Sequence, residues 1–184
     1  MNKAEIVSII NEFLNGNKES FSQIIHNFQK QVFDLCVHFL STPQEAEDAT
    51  TEIFIKVYKS LNSFNSNYKF SSWIYKIAIN HVNDILRKKK REKKYLLSEF
   101  FNTMKQTEPK TPESVFFKKI ETKKLKQALR SISINYQTTL MLKYYYEFSY
   151  QQISEIMDIP VNTIGSLIFR GKRELREKLK EMEA

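Results

Sequence analysis

Residues 70–91 read FSSWIYKIAINHVNDILRKKKR, from Phe70 to Arg91. Ile74, Ile77, Ala78, Val82, Ile85 and Leu86 recur at three-and-four spacing, which places them on one stripe of a helix. A second line, Trp73, Lys76, Asn80, Asp84 and Arg87, runs down the other side and leads into the basic run Arg87 to Arg91. A helix that buries one side and presents an aromatic, amide and carboxylate groups and a basic tail on the other is suited to lie against a polyanion.

Charge is local in the rest of the chain as well. The 184 residues carry a net +8, but residues 1–86 sum to −2, residues 87–94 to +6, residues 95–113 to −1 and residues 114–184 to +5. Clustered cations attract phosphate backbones through counterion release, whatever the base sequence. Three glycines and four prolines, with 41% of residues hydrophobic, predict an all-α protein. Cys36, the single cysteine, excludes an internal disulfide and reads as a buried hydrophobe in a reducing cytoplasm. The N-terminus is too quickly interrupted by Asn11 and Glu12 for a signal peptide, and no apolar run is long enough to span a bilayer. His26, His38 and His81 lack metal-ligand spacing with one another or with Cys36, so neither metal nor cofactor is expected. With no nucleophile, glycine-rich loop or paired-acid signature, an enzyme is not expected either.

Upstream of the opening stretch, Ile6, Ile9, Ile10, Phe13 and Leu14 form one helical face that Asn15-Gly16 should end. Phe21, Ile24, Ile25, Phe28, Val32, Phe33 and Cys36 mark a second helix ending near Leu40. Thr42, Pro43 and Glu45 predict the capping box of a third, whose inward line is Ala46, Ala49, Ile53, Val57 and Leu61. Its other face mixes Glu45, Glu47, Asp48, Thr51 and Glu52 with the aromatics Phe54 and Tyr58, expected to be exposed. The segment SFNSNYKF reads as a loop carrying Phe64, Tyr68 and Phe70 toward Trp73.

Downstream, the pattern weakens from Glu92 to Glu113, where QTEPKTPE has the composition of a connector, so residues 92–112 read as a linker with Thr111-Pro112 as a fresh helix start. Residues 1–91 and 113–184 then form two small helical domains. In the second, Ser149 and Gln152 make a capping box into QQISEIM, Asp158-Ile159-Pro160 is a tight turn, and residues 161–181 form a last helix. Short helix, tight turn and longer helix with a basic middle is the helix-turn-helix arrangement. Ile164, Leu167, Ile168 and Leu175 should face inward, leaving Thr163, Ser166, Phe169, Arg170 and Arg173 for a major groove.

The blocks AEDATTEIFIKVY, NYKFSSWIYKIAINHVNDILRKKKR and LMLKYYYEFSYQQISEIMDIPVNTIGSLIFRGKRELREKL, in this order, resemble the extracytoplasmic-function group of bacterial sigma factors from Phe21 to Leu179. The resemblance implies a non-enzymatic, cytoplasmic promoter-specificity subunit. Its partners would be core RNA polymerase, double-stranded and melted promoter DNA, and an inhibitory anti-sigma factor. It carries Asp48, Thr51, Glu52 and Phe54 to polymerase docking, and Tyr68, Trp73, Lys76, Asn80, Arg87 and Lys88 to the minus-ten element, where one base is flipped out. Thr163, Ser166, Phe169, Arg170 and Arg173 match the reader of the minus-thirty-five element. Departures from the common pattern are Gly165 and Leu167, both often basic in the family, Ile132-Ser133 in place of Leu-Pro, and Ser154 in place of Ala.

The residues alone also allow other roles. Trp73 fits a core, the acids of the third helix fit as partners of its positive dipole end, and the run Lys88 to Arg91 fits a solvated helix end. A stand-alone helix-turn-helix regulator is the alternative function. It would have no use for the acidic-aromatic face before Tyr58 or the loop before Trp73.

Overall fold

The computed structural model describes residues 2–100 and 118–182, with side-chain surroundings over residues 2–92 and 124–182. It is all-α, without a strand among the described residues. The connector sequence QTEPKTPE and the Thr111-Pro112 helix start lie outside them.

Helix α1, Lys3–Leu14, starts at Asn2, whose side chain accepts from Glu5 N at 2.9 Å while the Glu5 carboxylate accepts from Asn2 N at 2.9 Å. This reciprocal cap satisfies backbone donors that a helix start leaves without partners. Ile6, Ile9, Ile10 and Phe13 are buried, but Leu14 is exposed, because the helix is already ending and the chain turns at Gly16 with φ +105°. That left-handed backbone favours glycine. Lys18 closes the end from outside, donating to the Phe13 carbonyl at 3.0 Å with its ammonium over the Phe13 ring.

Helix α2, Phe21–Phe39, and α3, Pro43–Ser60, pack side by side. Ala46, Ala49, Ile53, Val57 and Leu61 are all buried, as their spacing predicts. The α3 cap differs in detail from the expected box. Thr42 Oγ1 accepts from Glu45 N at 3.2 Å, yet the Glu45 carboxylate accepts from Ser41 N, at 3.1 Å, rather than from the cap residue itself.

Helix α4, Phe70–Phe100, lies across α2 and α3 and continues as one helix through the basic run to Phe100, past the sequence-based boundary at Arg91. Ile74, Ala78 and Val82 are buried as expected, but so are Tyr75 and Ile79 on another side. The cause is a second neighbour, because α7 also packs on α4.

The second region is α5, Lys118–Ser131; α6, Ile134–Tyr144; α7, Tyr150–Met157; and α8, Val161–Glu181. The Ser149–Gln152 capping box is present in both directions, at 3.2 and 3.0 Å. Asp158 holds the left-handed turn at φ 57° and ψ 44°, and α8 begins after Pro160. Gly171 is buried where α8 crosses α6. A Cβ there would lie 3.1 Å from Tyr136 Cβ, so the crossing is set by the missing side chain.

Candidate nucleic-acid interface

The outer face of α8 is the simplest surface on the molecule. Ile164 and Ile168 are buried and Leu167 and Leu175 pack partly against the core, which leaves Thr163, Ser166, Phe169, Arg170 and Arg173 exposed together. Phe169 is 70% exposed, an unusual position for a large aromatic unless something flat or apolar is to meet it. Arg173 Nε lies 3.9 Å from Glu177 on the same helix, whereas Arg170 has no such restraint within its helix. Gly165 is not required by space: a Cβ there would meet only the Tyr150 ring, at 3.8 Å. Leu167 has turned inward, so its departure from the basic pattern reflects packing rather than a lost outer contact.

The polar line of α4 is held in two ways. Trp73 is half-buried and tilted against Phe64 and Phe70, with both ring centroids 5.4 Å away, while Phe70 also stands edge-on to Phe28 at 5.3 Å. Trp73 is therefore at once part of the core and part of the surface. The loop before it turns tightly, with Asn65 Oδ1 accepting from Asn67 N at 2.9 Å, and it holds Tyr68 out at 52% exposure. Phe64 and Phe70, which sequence grouped with Tyr68, anchor the loop instead. Tyr68, Trp73 and Lys76 border a depression of about 370 Å³. Asn80, Arg87 and Lys88 are exposed further along the same helix, with Arg87 3.6 Å from Asp84. Lys89 is paired with Glu45, so it belongs to the α3–α4 contact and not to the free basic end.

On α3, Asp48, Thr51 and Glu52 are exposed as expected. Phe54 is not. At 7% exposure it forms the floor of a shallow depression between Phe21, Ile25 and Tyr58, because α2 packs along the Thr50–Phe54 side of α3. Ile55, exposed at 48%, takes the outward place that sequence gave to Phe54. Tyr58 is exposed at its rim but stands edge-on to Phe13 and Phe21 at 4.9 and 5.1 Å.

A polar group that the sequence did not single out ties α3 to α4. His81 is buried, with its Nδ1 2.8 Å from Lys56 Nζ and its Nε2 3.3 Å from Glu52 Oε2. An ammonium can only donate, so Nδ1 is the accepting nitrogen and the neutral ring carries its hydrogen on Nε2. Burial, reinforced by the Lys56 charge, holds its pKa below the ordinary histidine value against the opposing pull of Glu52 and Asp84. The signal in sequence would have been a histidine on the buried side of α4 next to Val82, legible only once α3 was known to lie there.

Among the described residues, no three histidine, cysteine or acidic side chains gather as a metal site, and no helix is long and apolar enough to cross a membrane. What the surface offers is a cationic and aromatic line on α4, a polar and aromatic face on α8, and an acidic face on α3.

Comparison with known proteins fits both halves. Residues 24–92 match Sigma-70 region 2, and residues 122–175 match Sigma-70, region 4. The ECF RNA polymerase sigma factor SigW of Bacillus subtilis is 33% identical over 180 residues, covering 94% of this chain and 96% of that protein. The RNA polymerase sigma-H factor of Pseudomonas aeruginosa is 29% identical over 175 residues, covering 91% and 90%. In fold, the chain is similar to CnrH solved in complex with the cytosolic domain of CnrY, with TM-score 0.69, 14% identity and coverage of 98% and 99%. It is likewise similar to RpoE solved with the anti-sigma factor NepR from Bartonella quintana, with TM-score 0.66, 21% identity and coverage of 88% and 98%. With both regions matched in order and a relative aligned along almost its whole length, the chain belongs to the ECF group of RNA polymerase sigma factors.

Proposed function

We propose that this chain binds core RNA polymerase, directs it to promoters with two separated elements and opens the DNA near the start site. The observation that carries this reading is the pairing of two exposed nucleic-acid faces, on α4 and on α8, with a separate acidic face on α3, in one chain of this family. A stand-alone helix-turn-helix regulator would account for α8 alone.

Residues 1–91 dock on polymerase and engage the minus-ten element, residues 92–112 connect, and residues 113–184 read the minus-thirty-five element. Asp48, Thr51 and Glu52 form the docking face, with Ile55 as its apolar neighbour. Tyr68 and Trp73 receive unstacked bases of the melted strand, Lys76 and Asn80 hold it along the helix, and Arg87 and Lys88 track phosphates. Thr163, Ser166, Phe169, Arg170 and Arg173 enter the major groove, where an arginine reads guanine in a bidentate pair and Phe169 meets a thymine methyl. The protein performs no chemistry of its own and acts in the cytoplasm, on the nucleoid when bound to polymerase. The fold neighbours solved with the cytosolic domain of CnrY and with the anti-sigma factor NepR support an inhibitory partner of the same kind.

Run-off transcription with core enzyme and a randomised promoter library tests the reading. Initiation that depends on the chain is expected; identical transcript yield without it would sink the proposal.

A further inference from the structure

Glu52 and Lys56 stand four residues apart on α3, with the acid nearer the N-terminus. That spacing and order favour an ion pair along an exposed helix. Among the described residues, however, these two do not pair with each other. Each is turned instead to His81 of α4, a ring only 5% exposed in the α3–α4 contact. The Lys56 ammonium donates to Nδ1 at 2.8 Å, and the Glu52 carboxylate lies 3.3 Å from Nε2.

The two contacts differ in kind. The first is a hydrogen bond to a neutral acceptor, because burial and the ammonium itself keep the ring unprotonated at neutral pH. The second is loose. Nε2 has no aligned hydrogen-bond partner, so the carboxylate stands beside its N–H and not on its axis, and the Glu52 side chain remains 64% exposed. Asp84, the other acid near the ring, is 3.6 Å from Arg87 on its own helix. The ammonium is thus held inward by a group without charge, and the acid beside it keeps both its charge and its access to solvent.

We propose that His81 is a positioning residue for polymerase docking: by giving the Lys56 ammonium a neutral acceptor, it prevents Lys56 from neutralising Glu52 and leaves that carboxylate free for a cationic side chain of the core enzyme. The proposal rests on the docking assignment of Glu52. Its physical basis is competition. Without the ring nitrogen the ammonium loses its inward acceptor, and the nearest free anion is the carboxylate one turn back along α3. A cation on polymerase must then displace a pair already made and approach a second ammonium of like charge. Exposed pairs are weak, so the effect is graded and not all or none.

The test uses the full-length chain and intact core polymerase, with dissociation constants from competition against fluorescently labelled wild-type chain. His81→Leu removes the acceptor and should weaken binding about two- to fivefold, the range expected when an exposed ion pair has to be broken first. His81→Gln supplies an amide oxygen in place of the ring nitrogen and should bind as wild type. Adding Lys56→Met to His81→Leu should restore wild-type affinity, because no ammonium is left to claim Glu52, and Lys56→Met alone should bind as wild type. Unchanged affinity of His81→Leu would overturn the proposal. So would a double variant as weak as the single one, the result that a purely structural ring predicts. Thermal melts check the fold, and His81→Phe, which keeps a ring without an acceptor, replaces His81→Leu should that variant not fold. Side-chain NMR of the free chain separates the positioning from the docking assignment. The Lys56 ammonium protons should correlate with the His81 ring in wild type and with the Glu52 carboxyl carbon in His81→Leu. Correlation with Glu52 already in wild type would reject the positioning. Unchanged core affinity of Glu52→Gln would reject the docking assignment and leave the exchange of partners standing.

Discussion

At the scale of single residues, three positions have consequences that can be measured. Arg170 is exposed on the outer face of α8 that is proposed to read the minus-thirty-five element, and Arg170→Ala should weaken binding to a minus-thirty-five duplex by about 1–3 kcal/mol if it reads a base in bidentate fashion. Unchanged affinity in a mobility-shift titration would reject that role. Gly165 gives the opposite opportunity. The space beside it is open, so Gly165→Arg should both add a phosphate contact and stabilise α8 by up to about 1 kcal/mol through helix propensity. A lower melting temperature, or a weaker duplex complex, would contradict the geometry. His81 sets a pH dependence. Its pKa is lowered in the folded chain by burial and by Lys56, while the unfolded ring titrates near 6.5. Below about pH 6.5 the unfolded chain takes up the proton first, so stability is full above that value and is lost as pH falls toward the lowered folded value. Thermal melts of His81→Gln between pH 7 and pH 5 should show a flatter slope than wild type; equal slopes would place the sensitivity elsewhere.

Helices differ in how much of their environment their own sequence could reveal. The α3 line Ala46, Ala49, Ile53, Val57 and Leu61 and the α8 stripe at Ile164 and Ile168 were legible because their regular spacing marked a single inward stripe. The caps at Ser149–Gln152 and the left-handed turn at Asp158 were legible because they are settled within a few residues. Phe54 and Tyr75 were not, since each is buried by a helix that its local spacing does not encode: α2 along one flank of α3, and α7 along a second side of α4. The candidate surfaces divide in the same way. The face of α8 could be read from period alone, whereas Trp73 serves core and surface together and only the packing of Phe64 and Phe70 distinguishes those parts. Gly171, also unremarked in sequence, makes the α6–α8 crossing close. Gly171→Ala should cost about 1–3 kcal/mol from overpacking despite the better helix propensity of alanine, because Tyr136 Cβ is backbone-fixed. A rise in denaturation midpoint would show that the crossing can relax.

Over the whole molecule, three surfaces of different character are distributed on one chain, and the proposed docking on polymerase falls on the acidic one. Asp48→Arg should impair co-purification with core enzyme while leaving the folding free energy within about 1 kcal/mol of wild type, since Asp48 is exposed and its one side-chain bond is to the neighbouring Gln44 at 3.2 Å. Assembly at wild-type yield would count against the α3 face. The lone thiol offers a view of the same molecule in time. Cys36 is fully buried between α2 and α3, and burial pushes its pKa up to about 11. A shift of that size from an ordinary thiol reduces the reactive thiolate about a hundredfold at neutral pH. An alkylating reagent can therefore mark the chain only in the moments when this core comes apart. The cysteine is a built-in clock: its labelling rate counts the openings of the α1–α4 half, free or in complex, without a probe having to be added.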